Sequence, residues 1–224
     1  MTQPAFRPVA EHGVLVEFAD AINDAAYAHV RHLDAMLAAH GFPGFVESIP
    51  AYVNILVEFD PLLTDHAAVI QALHGLLALK PAPAATTTPR EVLVCYDADF
   101  APDLPEVAKA CGLTEEEAIA AHLAGDYAVF LYGFAPGYAY LGGVPPALHL
   151  PRKAAAVRGI AAGSVIIAGA QCLVTTLTMP TGWWIIGRSP TQILRPDPAH
   201  PFLFDVGDRV KFRRISRREF EARQ

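Results

Sequence analysis

The chain has 224 residues, of which 53% are hydrophobic and only 18% are charged, and its formal net charge is −6. This composition excludes an intrinsically disordered chain, which combines low hydrophobicity with high charge, and the length allows one domain or two small ones. The charge is uneven, since residues 1–126 hold 18 acidic and 5 basic side chains whereas residues 127–224 hold 5 acidic and 12 basic ones. In the basic C-terminal tail we find neither the exposed aromatic residues nor the reading helix that nucleic-acid binding requires. We therefore predict a solvated surface there, and the positive charge leaves an anionic small molecule or an acidic protein as ligand classes.

The three cysteines form no Cys-x-x-Cys pair and are odd in number. This usage argues against a disulfide scaffold or a zinc site and favours a reducing compartment, so we expect a cytoplasmic protein. Residues 1–10 contain two prolines and lack the apolar segment of a signal peptide. Residues 159–186 carry no charge and are numerous enough to span a bilayer, but glycine, threonine and proline divide them into strand-sized pieces. We predict buried sheet and no membrane span.

Strand and helix patterns alternate over residues 1–80. Asn23 can cap a helix that ends at Gly41, and Thr64 or Asp65 can cap a second helix. Apolar runs predict strands at residues 14–18, 45–49 and 52–59. We predict a small α/β domain here, with a sheet that carries helices on one side.

Residues 81–89 are rich in proline and threonine and have no periodicity, which is typical of an extended linker. We place the domain boundary there and assign residues 90–224 to a second domain. This domain opens with a predicted strand at residues 92–96, and Asp103 can cap a short helix that ends near Gly112.

A second helix of this domain begins with a capping box, in which Thr114 and Glu117 can each bind a free backbone N–H of the other. From Tyr127 onward we find no further helix pattern. Short β-rich runs separated by glycine and proline predict a closed barrel or a sandwich, with strands at residues 127–134, 164–168, 173–179, 183–186 and 209–212.

Residues 127–187 contain no acidic residue and only three charged ones, Arg152, Lys153 and Arg158, and Arg188 follows directly. A barrel interior without room for charge would explain the missing acids. An arginine in an apolar setting can bind a carboxylate or phosphate through two hydrogen bonds. Solvation, or pairing with an acid of residues 1–126, is the alternative, and it applies most to Lys153.

A loop within this segment, residues 133–143, combines glycine and proline with three aromatic residues, Phe134, Tyr138 and Tyr140. Such a rigid loop could present its aromatic rings to a ligand, or the rings could simply close one end of the barrel. Among nine histidines, His122 is the best candidate for proton transfer, although a satisfied core histidine is the competing interpretation. No phosphate-binding loop, nucleophile elbow or metal-ligand pattern occurs, so we predict no metal site. The acids that general acid–base catalysis needs would have to come from residues 1–126 or from another protein chain.

These motifs resemble the family of the 5-oxoprolinase B subunit, which includes allophanate hydrolase subunit 1, the carboxyltransferase C and D domain of urea amidolyase, and an inhibitor of a sporulation kinase. The resemblance extends over nearly the whole chain. It rests on Gly133-Phe-Ala-Pro-Gly-Tyr-Ala-Tyr-Leu-Gly-Gly143, Pro151-Arg152, Ala162-Gly-Ser-Val165, Ala168-Gly-Ala-Gln171, Gly182-Trp183 and Gly187-Arg-Ser-Pro190.

The resemblance implies an α+β architecture, in which a small α/β domain precedes a cyclophilin-like β-barrel. It also implies a protein that is inactive alone and works with a homologous barrel protein, the 5-oxoprolinase C subunit, and with a third hydrolase subunit. Such a complex would use ATP to hydrolyse a small amide, 5-oxo-L-proline, to L-glutamate. The residues that match the family's motifs fall into two groups. Catalytic roles are expected for His122, Arg152, Gln171 and Arg188, and substrate binding for Phe134, Pro136, Gly137, Tyr138, Tyr140 and Trp183.

The sequence departs from the family pattern in loops near the expected site. Tyr138 replaces a usual phenylalanine, Cys172-Leu173 a usual Thr-Gly, Thr181 a usual glycine, and Asp97-Ala98 a usual Gly-Gly. Two other functions are compatible with the family. One is half of a biotin-dependent carboxyltransferase acting on urea, and the other is a non-catalytic module that inhibits a histidine kinase.

Overall fold

The computed structural model of the chain describes residues 4–80 and 89–223. Two compact units are present, and they meet in sequence between Thr86 and Thr87. The predicted linker, residues 81–89, lies outside the described residues except for Pro89.

The N-terminal unit is a four-stranded antiparallel sheet with two helices, in strand order β1-β2-β4-β3. Its elements are β1 (Ala5–Val9), β2 (Gly13–Glu17), α1 (Asp24–His40), β3 (Phe45–Pro50), β4 (Asn54–Phe59) and α2 (His66–Leu77). The apolar residues of β2 and β4 alternate with less buried ones, and their buried side chains pack with those of both helices in one cluster. This alternation explains the sheet with one covered face that the sequence predicts.

Local capping determines where the helices of this unit begin. The Asn23 side chain accepts a hydrogen bond from the Ala26 N–H at 2.8 Å, and that of Asp65 accepts one from the Ala68 N–H at 2.9 Å. Both bonds satisfy donors that a helix leaves free at its first turn. The structure thus selects Asp65 over Thr64 as the second cap. Strand β1 was not predicted from the sequence.

The C-terminal unit is built around a seven-stranded sheet in the order β12-β9-β10-β7-β6-β13-β5. Its strands are β5 (Arg90–Val94), β6 (Tyr127–Tyr132), β7 (Ala139–Gly142), β8 (Val157–Ile160), β9 (Ser164–Ala168), β10 (Gln171–Val174), β11 (Met179–Thr181), β12 (Trp184–Arg188) and β13 (Arg209–Arg214). Its helices are α3 (Leu104–Cys111), α4 (Glu115–Ala124) and α5 (Arg217–Glu221), with a single 3-10 turn at Pro146–Leu148. Strands β8 and β11 form a separate two-stranded sheet.

The two edges of the seven-stranded sheet meet. Cys95, directly after β5, exchanges two backbone hydrogen bonds with Arg188 of β12, with N···O distances of 2.8 and 2.9 Å. This pair closes the sheet on itself, which removes the open edges that a flat sheet exposes. The mixed α+β class and the β-barrel predicted from the sequence are confirmed.

The uncharged residues 159–186 form β-structure, as predicted: they contain β9, β10 and β11 and most of β12. None of the helices in the described parts of the chain combines the length and the apolar character that crossing a membrane requires.

Three local predictions were wrong. Asp103 precedes α3 but makes no side-chain cap bond, because its carboxylate accepts hydrogen bonds from Lys153 and from the Ile185 N–H instead. A short helix, α5, follows Tyr127 where no helix was expected, and its cap is Ser216. The run at residues 173–179 is divided between β10 and β11. The capping box of Thr114 and Glu117 is present as predicted.

Candidate functional site

A cavity of about 160 Å³ opens on the barrel unit, beside the loop that carries three aromatic residues. Five residues predicted from the sequence to form the site line it together. They are Phe134, Tyr138, Tyr140, Arg152 and Trp183. The remaining lining residues were not predicted as site residues, although Leu173 and Thr181 were expected near the site; they are Ile166, Leu173, Pro180, Thr181 and Gly182.

Arg152 is the charged residue of this lining. Its guanidinium carbon lies 5.6 Å from the centre of the Trp183 ring, within the range of a cation–π contact. The Trp183 ring in turn meets Tyr140 edge to face, with 5.8 Å between the ring centres. Within the described residues no carboxylate lies within ion-pair distance of Arg152. The cavity therefore presents a positive charge on an aromatic wall.

The neighbouring cation has a different environment. The Lys153 ammonium lies 2.5 Å from the Asp103 carboxylate, and both side chains are mostly buried, at 13% and 16% exposure. Asp103 also accepts a hydrogen bond from the Ile185 N–H at 2.6 Å. Lys153 thus pairs with an acid of residues 1–126, the alternative to ligand binding that the sequence left open.

Tyr138 is a buried part of the cavity wall, with only 4% of its surface exposed. Its ring lies 5.6 Å from that of Phe134, centre to centre. Burial raises the pKa of Tyr138, and the nearby Tyr140 phenol adds to the rise. The Tyr138 hydroxyl therefore stays protonated and can donate a hydrogen bond.

The loop before β7 holds Phe134 in an unusual backbone conformation. Phe134 has a φ of +68°, and the Ala135 N–H donates to the Gly133 carbonyl at 2.8 Å across it, which makes a γ-turn with a left-handed centre. Such a turn is strained for a residue with a side chain, and strain of this kind is typical of ligand sites. The turn leaves the Phe134 ring 69% exposed at the cavity.

Pro136 and Gly137 support the loop but do not line the cavity. The Thr176 hydroxyl donates to the Pro136 carbonyl at 2.6 Å, and a Cβ atom on Gly137 would lie 2.7 Å from the Leu194 side chain. Gly137 also has a φ of +73°. Glycine is required there both by the backbone conformation and by the close approach of Leu194.

His122 lies in the core of the barrel unit and not at the cavity. It is 0% exposed, and its Nδ1 atom lies 2.7 Å from the Tyr96 hydroxyl while its Nε2 atom lies 3.6 Å from the Cys172 sulfur. Burial lowers its pKa from 6.5 to about 3, so the ring is neutral. We assign the Nε2–H tautomer, because only this tautomer gives the strong Tyr96 donor an acceptor and leaves just the weak thiol donor of Cys172 unpaired.

Gln171 and Arg188 also lie away from the cavity. Gln171 begins β10 and pairs with Ala168 and Gly142 across the sheet. Arg188 lies at the closing pair of the barrel, with its guanidinium carbon 5.8 Å from the ring centre of Phe100 and 5.9 Å from that of Phe220.

The basic C-terminal tail is largely neutralised by acids of its own unit. Five of its contacts are Arg209 with Asp126, Arg213 with Glu91, Arg214 with Glu116, and Arg217 with both Asp97 and Asp99. Within the barrel unit, acids that precede residue 127 in the sequence therefore neutralise much of the basic tail. In the described parts of the chain no group of three or more histidine, cysteine or carboxylate side chains is arranged to hold a metal ion.

Comparisons with known proteins place this barrel in a defined class. The family model for the carboxyltransferase domain, subdomain C and D, matches residues 4–204. The urea amidolyase of K. lactis has the same fold over 98% of this chain, with a TM-score of 0.78 and 16% identity, and this chain spans 15% of that protein.

Two similarities at higher identity define the group within this class. The 5-oxoprolinase B subunit of Bacillus subtilis (strain 168) is 35% identical over 226 residues, which cover 96% of this chain and 94% of that protein. The crystal structure of TTHA0988 superposes with a TM-score of 0.82 at 32% identity, over 92% of this chain. This chain spans only 41% of TTHA0988. The chain belongs to the carboxyltransferase C and D domain family, in the group of the 5-oxoprolinase B subunit.

Proposed function

We propose that this chain is the B subunit of a cytoplasmic, ATP-dependent 5-oxoprolinase, which hydrolyses 5-oxo-L-proline to L-glutamate. The relatives at 33–35% identity over most of their length bear the name of this subunit, which supports the proposal. Under this proposal, the cavity beside Arg152 binds the substrate, and a partner protein completes the active site.

The composition of the cavity wall is the observation that carries the proposal. The wall supplies one guanidinium, aromatic rings and aliphatic surface, but no carboxylate or histidine among the described residues. Lactam hydrolysis needs a base that activates water and an acid that protonates the leaving nitrogen. This wall can bind and orient an anionic amide, but it has no carboxylate or imidazole that could act as the base.

The size of the cavity supports a small substrate. Its volume is about 160 Å³. That volume suits a compact five-membered ring and is below the range of about 300–1,000 Å³ that larger ligands occupy. We therefore assign 5-oxoproline to this cavity and place ATP in another part of the complex.

Arg152 is the residue to which we assign recognition of the substrate carboxylate. Its fork of N–H groups matches a carboxylate, and the Trp183 ring holds it on one face. His122, Gln171 and Arg188, for which the sequence predicted catalytic roles, do not line this cavity. We propose that they support the barrel and that a partner contributes the acid and the base.

The partners that we propose are a homologous barrel protein, the 5-oxoprolinase C subunit, and a third hydrolase subunit. The relatives are named as one lettered subunit of an enzyme, which supports a complex of several different chains. TTHA0988 is more than twice as long as the part that matches this chain, so this fold also occurs joined to further sequence. The likeness to urea amidolyase, at 16% identity, shows the fold alone, and we do not propose urea as a substrate.

The test is 5-oxoproline-dependent release of ADP by the reconstituted complex, with this chain present, absent or altered. Arg152→Ala should lower kcat/KM for 5-oxoproline by about 10- to 100-fold, because it removes hydrogen bonds to a charged group. The matched control is Arg158→Ala, which removes an exposed arginine that does not line the cavity. ADP release that depends on 5-oxoproline but needs no partner would refute the shared site. An Arg152→Ala complex as active as the Arg158→Ala control would refute the binding role.

A further inference from the structure

The cavity contains two phenol hydroxyls without a protein acceptor in the described parts of the chain. Three other tyrosines of the barrel unit, Tyr96, Tyr127 and Tyr132, each place the hydroxyl within hydrogen-bond distance of a protein atom, at 2.7, 3.0 and 2.7 Å. Tyr138 and Tyr140 have no such partner, and both line the cavity. The Tyr138 side chain is only 4% exposed, but its hydroxyl oxygen is not among the buried polar atoms that lack a partner, so the hydroxyl is open to the cavity and available to a ligand.

The polar side chains of the cavity are otherwise already paired or cationic. The Thr181 hydroxyl oxygen accepts a hydrogen bond from the Trp183 N–H at 3.1 Å. Arg152 can only donate, and each of the two phenol hydroxyls has an O–H that can donate. The side-chain groups available to a ligand are thus donors, next to a positive charge.

We propose that Tyr138 and Tyr140 donate to the ring carbonyl of the substrate while Arg152 binds its carboxylate, so that the cavity selects a neutral cyclic amide that carries an acid group. This inference rests on the proposed function and assigns a side chain to each functional group of its substrate. The ring carbonyl supplies the acceptor that the Tyr138 hydroxyl lacks in the protein.

The same arrangement discriminates against an amino acid with a free ammonium group. An ammonium requires acceptors, and the side chains here offer none beyond the phenol oxygens, while the Arg152 charge repels it. Ring opening of 5-oxoproline converts the neutral amide N–H into such an ammonium and the carbonyl into a second carboxylate. The product, glutamate, therefore binds this cavity poorly, and release follows from the change in chemistry at the ring nitrogen.

The test measures how tightly four small molecules bind, each of which carries a different combination of the substrate's functional groups. 5-Oxoproline has both the carbonyl and the carboxylate, 2-pyrrolidinone has only the carbonyl, cyclopentanecarboxylate has only the carboxylate, and L-proline has a carboxylate and an ammonium. Each is titrated by calorimetry into the reconstituted complex that contains wild-type chain, Tyr138→Phe or Arg152→Ala. Tyr132→Phe serves as the control, because it removes a phenol hydroxyl that does not face the cavity.

We expect Tyr138→Phe to weaken 5-oxoproline and 2-pyrrolidinone by about 3- to 10-fold, as for one neutral hydrogen bond, and to leave cyclopentanecarboxylate unchanged. Arg152→Ala should weaken the two carboxylates without ammonium by about 10- to 100-fold and spare 2-pyrrolidinone. L-Proline, and the product glutamate titrated separately into the wild-type complex, should bind at least tenfold more weakly than 5-oxoproline.

Several results separate failure of this inference from failure of the proposed function. If the complex releases ADP with 5-oxoproline but Tyr138→Phe binds all four probes like the wild type, the inference is wrong and the proposed function stands. Glutamate or proline bound as tightly as 5-oxoproline would also refute the inference. If 5-oxoproline drives no ADP release and binds no more tightly than cyclopentanecarboxylate, both fail. A loss for Tyr138→Phe that is equal for all four probes would indicate a general change of the cavity and would refute the assigned hydrogen bond.

Discussion

The buried position of His122 makes a quantitative prediction about stability and pH. Its pKa is about 3 in the folded barrel, whereas an unfolded histidine has a pKa near 6.5. Between these values the unfolded chain binds a proton that the folded protein excludes. The free energy of unfolding therefore falls as the pH drops through 6.5 and continues to fall until about pH 3.

The size of the effect follows from the two pKa values. At pH 5 the unfolded histidine is almost fully protonated and the folded one is almost fully neutral, so this residue lowers the free energy of unfolding by about 2 kcal/mol relative to pH 8. The variant His122→Asn keeps an acceptor for the Tyr96 hydroxyl and cannot titrate. The stability gap between the wild type and this variant should therefore narrow by about 2 kcal/mol from pH 8 to pH 5.

Urea unfolding followed by tryptophan fluorescence measures this gap in the right part of the molecule. Both tryptophans, Trp183 and Trp184, belong to the barrel unit, so their signal reports its unfolding. The exposed His200 of the same unit provides a control for the replacement of a histidine, so His200→Asn is measured at both pH values alongside His122→Asn. A constant gap for His122→Asn would show that His122 takes up protons in the folded state, and the assignment of a sealed, neutral core histidine would be wrong.

Three further predictions concern the stability of the barrel unit. The variant Phe134→Gly should have a free energy of unfolding about 1 kcal/mol higher than Phe134→Ala in the same fluorescence assay, because only glycine adopts the left-handed φ without strain. Equal free energies of unfolding would contradict the γ-turn. Asp103→Asn should destabilise the barrel unit by about 3 kcal/mol, since it leaves the Lys153 ammonium buried without a counter-charge. If the unpaired charge is the cause, the double variant with Lys153→Met and Asp103→Asn should be more stable than Asp103→Asn alone. Thr114→Ala should cost about 1 kcal/mol by removing the capping box of α4, measurable as a shift of the urea midpoint, and an unchanged midpoint would contradict that role.

Local chemistry explains which parts of the fold could be predicted from the sequence. The caps Asn23 and Asp65, and the box of Thr114 and Glu117, act over three residues, so their signals lie within one short window. The apolar runs of β4 and β9 predict strands because burial alternates along the first and is complete along the second. These signals depend on neighbours in sequence and need no knowledge of the tertiary structure.

Asp103 shows why other local predictions fail. Its position before α3 fits an N-cap, but its carboxylate binds Lys153, which lies 50 residues away, and the Ile185 N–H, which lies 82 residues away. A charged partner in a mostly buried position outweighs a cap bond, which contributes only about 1 kcal/mol. Because no pattern in the sequence shows that these segments meet, the cap was the natural expectation and the ion pair could not be predicted.

The cavity was predicted in part for the same reason. Phe134, Tyr138 and Tyr140 lie in one loop, and their density of aromatic residues with glycine and proline is visible in the sequence. Leu173 and Ile166 complete the cavity wall, but they lie on strands whose apolar sequence is typical of an ordinary hydrophobic core. Their signal is strand alternation: Cys172 is in contact with His122 in the core, so its neighbour Leu173 points to the opposite face.

Arg152 and Lys153 are adjacent in the sequence, but their side chains lie in different environments in the structure. Lys153 lies against Asp103, where it is largely shielded from water, whereas Arg152 lies at the cavity on the Trp183 ring without a carboxylate. Acids of the same unit, such as Asp97 and Glu116, pair with other arginines, whereas Arg152 is exposed and has no such partner among the described residues. The unpaired guanidinium beside two unpaired phenols is instead the arrangement that an anionic ligand with a carbonyl group would complete. The absence of acids from residues 127–187 thus keeps the cavity wall positive, and any acid that takes part in the reaction has to approach from outside this wall.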